Sequence, residues 1–249
     1  LNKVIFYKLI DDYTRAIKSG EVALKDFPVS ISISDVDDDR KAELIAVTSS
    51  LPDPQQKGAV YRLTVIGQDG KEKYYTDTEG MPISMDCSRT SIAVSYRNKT
   101  QIYSSKSRNI SPVASMTVGG EVRIADIDGD GNEEYVIKDE QGINIFIFHM
   151  EAEKAIEVWR THNTQESLMG TLAVCDLNGD GVKELYIGSH LQAGNVKAFI
   201  LTRDGFKPWG EVSDFGVRYI PGDFNLDGKD DALKISLKDG IPAKVALSR

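Results

Sequence analysis

Cysteine is almost absent. The 249-residue chain holds two, Cys87 and Cys175, which excludes a disulfide scaffold and a thiolate zinc site. Two small buried apolar side chains are the plain expectation. No run approaches the ~18 uncharged apolar residues of a membrane-spanning helix, so no membrane span is expected. Three histidines, His149, His162 and His190, fall in no ligand spacing. There is no G-x-S-x-G elbow and no Walker loop, and the chain is expected not to be an enzyme. Helical patterning at a period of 3.6 is not evident, and no Pro/Ser-rich linker divides the chain. Positive charge is in deficit, with 30 Lys and Arg against 38 Asp and Glu and a formal net charge of −8. An acidic chain without a basic stripe is a poor nucleic-acid partner. The N-terminal LNKVIFYKLIDD has neither an initiator Met nor a usable signal region. It reads as a processed or trimmed chain, and export is neither shown nor excluded by this end.

The acids are not scattered. Four segments align on them: SDVDDDRKAELIAV from Ser34, ADIDGDGNEEYVI from Ala125, CDLNGDGVKELYIG from Cys175 and GDFNLDGKDDALKI from Gly222. Counted from the leading acid, position one is Asp35, Asp126, Asp176 and Asp223. Position three is Asp37, Asp128, Asn178 and Asn225; position five is Asp39, Asp130, Asp180 and Asp227. Position nine is Glu43, Glu134, Glu184 and Asp231. Position six is Gly131, Gly181 and Gly228, but Arg40 in the first copy, where it is a candidate to fold back on its own acids.

The leading acids of the last three copies are 50 and 47 residues apart, and the first gap is about two such periods. ISMDCSRTSIAVSY falls where the missing copy belongs. Asp86 is its candidate leading acid, with no further ligands behind it. Short runs rich in Ile, Val and Tyr flank each loop, such as VRIA before and EYVI after Asp126, and read as hairpins. A period in the forties with several strands per unit indicates a β-propeller. The expected fold is all-β: one domain over 1–249, about five four-stranded blades of ~47 residues. The N-terminal strands KVIFYKLI and TRAIKSGEVAL are candidates to complete the last blade and close the ring, and a piece of a longer propeller is the alternative.

Side-chain oxygens at positions one, three, five and nine suit a hard, oxygen-seeking cation. A backbone carbonyl at position seven, from Lys41, Asn132, Val182 or Lys229, would add to them. Glycine at position six permits the turn. Several anionic ligands without His or Cys favour Ca²⁺ over Mg²⁺, which prefers to keep its waters. An EF-hand is excluded, because its bidentate Glu at position twelve is replaced by Ala46, Ile137, Ile187 and Lys234. Three to four Ca²⁺ ions are expected, the Asp35 loop being the weakest site. Four divalent ions would cancel the formal −8.

GDFNLDGKDDALK, CDLNGDGVKELYIG and ADIDGDGNEEYVI resemble the FG-GAP/VCBS repeats of integrin-α-type propellers. AELIAVTSS followed by GAVYRLTV is similar to that family's strand, corner and returning strand. The resemblance covers four units well and the second poorly, the "FG" signature itself is missing, and the family usually has seven blades. It implies Ca²⁺ clamped in a hairpin loop of each blade and a non-catalytic role in adhesion, protein binding or scaffolding. The partner would be a protein or a glycan. Trp159 and Trp209, each 33 residues after its leading acid, suit repeated inter-blade packing. They also keep a lectin-type propeller open, as is a non-catalytic part of a larger secreted enzyme. A monomer is expected. Millimolar extracellular calcium suits weak sites, which places the chain outside the cell or at its surface.

Overall fold

A computed structural model describes residues 2–10, 15–105, 109–142, 144–161, 172–176, 179–181, 183–188, 196–202, 205–212, 218–222, 230–238 and 241–248. The chain divides into two compact units, Leu1–Thr117 and Val118–Arg249. Every element among the described residues is a β-strand. None is a helix long and apolar enough to cross a membrane.

The first unit opens with β1 (Lys3–Ile10) and β2 (Arg15–Ala23), which pair as a two-stranded sheet. Next come β3 (Phe27–Ser34), β4 (Glu43–Ser49), β5 (Tyr61–Ile66) and β6 (Glu72–Thr78), hydrogen-bonded antiparallel in chain order. A second such sheet is β7 (Ser84–Cys87), β8 (Ser91–Ser95), β9 (Thr100–Ser104) and β10 (Ser111–Met116). The second unit repeats the plan. It has β11 (Gly120–Ala125), β12 (Glu134–Asp139), β13 (Ile145–Glu151) and β14 (Lys154–Arg160). It continues with β15 (Leu172–Cys175), β16 (Glu184–Gly188), β17 (Val196–Thr202) and β18 (Gly205–Val212). Three strands end it: β19 (Arg218–Gly222), β20 (Asp231–Lys238) and β21 (Ile241–Ser248). Among the described residues, the expected completion of this last sheet by an N-terminal strand is not found. β1 and β2 pair with each other instead, over eight register positions.

Burial follows strand order. β4 and β12 are buried along their whole length, while the outer strands β6 and β14 are mostly exposed. A strand buried on both faces is apolar along its middle, as LIAV in β4 and YVI in β12 are, with the polar residues at the strand ends. From β4, Ile45 and Val47 meet Ile92 and Val94 of β8 on one side. On the other, Leu44 and Ile66 meet Val22, Leu24, Val4 and Phe6 of the hairpin. In the second unit Val136 and Ile147 pack with Leu172, Leu185 and Ile187. Each fully buried Ile or Leu contributes about 1.5–3 kcal/mol. Glu121 ties its sheet to the next: its Oε2 accepts from Leu172 N at 3.1 Å and meets Lys138 Nζ at 2.8 Å. Cys87 and Cys175 form no disulfide, and burial pushes both thiols well above their usual range.

Register also locates the drifted unit. Ser34 pairs with Glu43, Ala125 with Glu134 and Cys175 with Glu184, with a long loop between the partners each time. In the second sheet Cys87 pairs with Ile92, and Ser88 N donates to Ser91 O at 2.9 Å. Only Arg89 and Thr90 remain as the turn. Asp86, the expected leading acid, lies inside the strand opposite Ala93. The loop is therefore replaced by a tight turn rather than stripped of its ligands.

A bulge recurs where the third strand meets the fourth. The extra residue is Lys73, Val113, Val158 and Trp209 in the four sheets. Trp159 instead pairs with Ile147 and packs, half-buried, on the core. The two tryptophans thus differ by one register step, despite their equal offsets in sequence.

Gly120, at the start of β11, has φ +145°, and a Cβ there would lie 2.0 Å from the Lys138 carbonyl oxygen. Gly120→Ala must move backbone. It is expected to cost about 1–3 kcal/mol, the range for overpacking, seen as a lower urea midpoint at unchanged slope.

Candidate metal centre

The Asp35, Asp126 and Asp176 loops each join the first strand of a sheet to the second, and each is knotted on its leading carboxylate. Asp126 Oδ1 accepts from Gly129 N at 2.7 Å and Oδ2 from Gly131 N at 2.9 Å. Asp176 accepts from Gly179 N at 2.6 Å, Asp180 N at 3.1 Å and Gly181 N at 2.8 Å. Asp35 accepts from Asp39 N at 3.1 Å and Arg40 N at 2.9 Å. Turning that many amides inward requires left-handed backbone twice per loop. Position six is left-handed at Gly131 (φ 88°), Gly181 (87°) and Arg40 (68°). So is position four, at Gly129 (77°), Gly179 (75°) and Asp38 (58°). The first loop carries side chains at both places, where they cost of order 1 kcal/mol each. Position seven closes the turn: Asn132 N donates to Asp130 Oδ1 at 2.7 Å, and Lys41 N to Asp39 Oδ1 at 2.9 Å.

Position nine begins the buried second strand. Glu43, Glu134 and Glu184 are 1%, 4% and 0% exposed. One oxygen is held by the backbone of position two: Val36 N reaches Glu43 Oε2 at 3.2 Å and Ile127 N reaches Glu134 Oε2 at 3.0 Å. Val36 and Ile127 are themselves buried, so the core anchors both ends of the loop. Carboxylate oxygens of Asp126, Asp128 and Glu134 lie within 4.8 Å of one another, as do those of Asp176, Asp180 and Glu184. Ligands at ~2.4 Å from a shared Ca²⁺ cannot be more than about 4.8 Å apart. Both sets meet that condition. Their residues are hard oxygen donors of the kind that would hold such an ion, which would offset the repulsion among them.

The first loop differs. Asp35, Asp37 and Asp39 also cluster within 4.8 Å, but an ammonium stands among the acids. Lys73 Nζ lies 2.9 Å from Asp37 Oδ2, 3.3 Å from Asp39 Oδ2 and 2.9 Å from Glu43 Oε1. Partial burial pulls the Lys73 pKa down, yet Glu43, Asp37 and Asp39 outweigh it and hold the amine charged above its ordinary range. Arg40, the expected internal cation, is exposed and gives its backbone amide to Asp35. Arg89, from the tight turn of the next sheet, pairs with Asp38 at 3.1 Å. Asp37 Oδ1 is buried without a partner.

Asn178 and Val182 lie outside the described residues, as do Asp223, Asn225, Asp227 and Lys229. Asp231 is placed only as the first residue of β20. The neighbouring Asp230 accepts from Asp176 N at 2.9 Å and donates its own N–H to Asp176 O at 3.1 Å, joining the third loop to the fourth. His149 stands opposite Glu134 in register, with Nε2 2.9 Å from Glu151. His162 and His190 are outside the described residues.

Sequence reasoning missed position four and Lys73. A Gly-x-Gly pair in two of the loops was a usable signal for the first. For Lys73 there was none, because it enters from another strand. No protein-family model matches the chain, and no curated protein matches it significantly.

Burial, then the Asp128, Asp130 and Asp126 charges, push Glu134 up to about 7, against backbone donation from Ile127. A carboxyl raised from 4.5 binds its proton more tightly when folded, so its stabilisation is full below about 4.5 and lost as pH rises through about 7. Metal-free protein is expected to lose melting temperature across that window, and Glu134→Gln to flatten the loss. An unchanged profile in Glu134→Gln would refute this assignment.

Proposed function

We propose that the chain is a calcium-stabilised, non-catalytic β-propeller serving as an extracellular or cell-surface module that binds a protein partner. The observation that carries this is the second and third loops. Each converges three carboxylates on one point at the end of a buried strand, with a buried glutamate that in the second loop is held by the Ile127 amide. Consecutive antiparallel sheets whose first strands run side by side, β3 by β7, β11 by β15 and β15 by β19, support blades around an axis. The FG-GAP/VCBS resemblance and a single five-blade domain over 1–249 belong to the same proposal. Ca²⁺ would be held by Asp126, Asp128, Asp130 and Glu134, and by Asp176, Asp180 and Glu184. The ion supplies positive charge. The chain's own residues supply the turn, the buried anchor and the oxygens. Millimolar calcium outside cells fills weak sites of this kind. A carbohydrate ligand has less support, because Trp159 packs into the core and Trp209 lies at a different register position.

A thermal melt tests the metal. Ligand that binds only the folded state adds about 1.4 kcal/mol per site at a tenfold excess over Kd, which millimolar calcium reaches for a site of about 10⁻⁴ M. At about 2–4 °C per kcal/mol for a chain this size, millimolar Ca²⁺ should raise the midpoint by several degrees per site over EGTA. Mg²⁺ should do much less. No shift in protein first shown to be metal-free would remove calcium, and with it the extracellular placement. A glycan array without saturable binding is expected; saturable binding would favour a lectin.

A further inference from the structure

We propose that Lys73 is a built-in substitute for the cation in the first acidic loop, so that this loop folds without metal and takes up no ion. The proposal rests on the calcium reading of the other loops. An ammonium has three N–H donors, and Lys73 Nζ has three carboxylate oxygens within reach, one each from Asp37, Asp39 and Glu43. Backbone amides take the rest of the set but one. Asp35 is filled by Asp39 N and Arg40 N, Asp39 Oδ1 by Lys41 N and Glu43 Oε2 by Val36 N. The exception is Asp37 Oδ1.

The route of entry is specific. Lys73 is the extra residue of the bulge between β5 and β6, which aims a side chain out of the regular ladder. The residues at the corresponding bulges of the second unit are Val158 and Trp209, so no ammonium enters from that position. The first loop has also lost both glycines, with Asp38 and Arg40 left-handed in their place, and it recruits Arg89 from the adjoining turn. A fixed cation tolerates such departures, since it is tethered rather than bound from solution at a site whose geometry must be kept.

The test counts Ca²⁺ per chain by native mass spectrometry, alongside melts in EDTA. Asp37→Asn with Asp39→Asn should leave the count as in the wild type, and Lys73→Met should raise it by one. The added ion should vanish when the three changes are combined. Loss of one ion from the wild type on the Asp37/Asp39 change would overturn the proposal, as would a folded Lys73→Met protein that gains none while the other loops bind. If the wild type binds no Ca²⁺ at all, the calcium reading falls and the melts decide. Lys73→Met should lower the midpoint by several degrees with the acids present and much less with Asp37 and Asp39 neutralised. Equal losses in the two backgrounds would overturn the role of Lys73.

Discussion

Glu43, Glu134 and Glu184 open strands that are buried on both faces, and each brings a carboxylate to where water is scarce. An ionised carboxylate there is costly unless a cation or several donors meet it. The loop before each strand is arranged around that constraint. It curls its amides onto the leading aspartate, lends the Val36 or Ile127 amide to Glu43 or Glu134, and gathers the remaining oxygens on one side. Backbone donors alone do not balance so many negative charges. In the first loop Lys73, from the neighbouring strand pair, supplies a positive charge; in the others, under the calcium proposal, a metal ion from solution would.

The sheets explain why the loops recur unchanged in place. β3–β4, β11–β12 and β15–β16 meet at the same register partners, and the position-two residues Val36 and Ile127 are seated in the core. A loop pinned at both ends can vary in the middle without disturbing the packing. The second sheet carries this furthest, reducing the loop to Arg89 and Thr90 while Ile92 and Val94 keep their places in the core.

The strands and acidic positions were legible because they obey short periods: alternating or continuous apolar runs for strands, and a fixed order of acids for loops. Asp126, Asp128 and Glu134 come together as their spacing indicates, as do Asp176, Asp180 and Glu184. What escaped depends on pairing between strands. Asp86 looked like a leading acid because it aligned by count, whereas register puts Ser88 and Ser91 at the loop's ends. Trp159 and Trp209 looked equivalent until pairing partners separated them. Lys73 is far from its acids along the chain, and only the bulge beside Ile66 makes it their neighbour. Sequence offsets count residues, but contacts follow register, and one inserted residue uncouples the two.

The reciprocal contact between Asp176 and Asp230 carries a further consequence. The amide of each reaches the other residue, so the start of the third loop and the end of the fourth share two hydrogen bonds, and Lys183 approaches Asp230 at 3.7 Å. Asp176 and Asp230 cannot shift independently of one another. Thermodynamically this is a nearest-neighbour term of the kind that makes repeat arrays cooperative. Order gained at one of these loops lowers the entropy still to be lost at the other, so the two loop ends tighten together rather than one at a time.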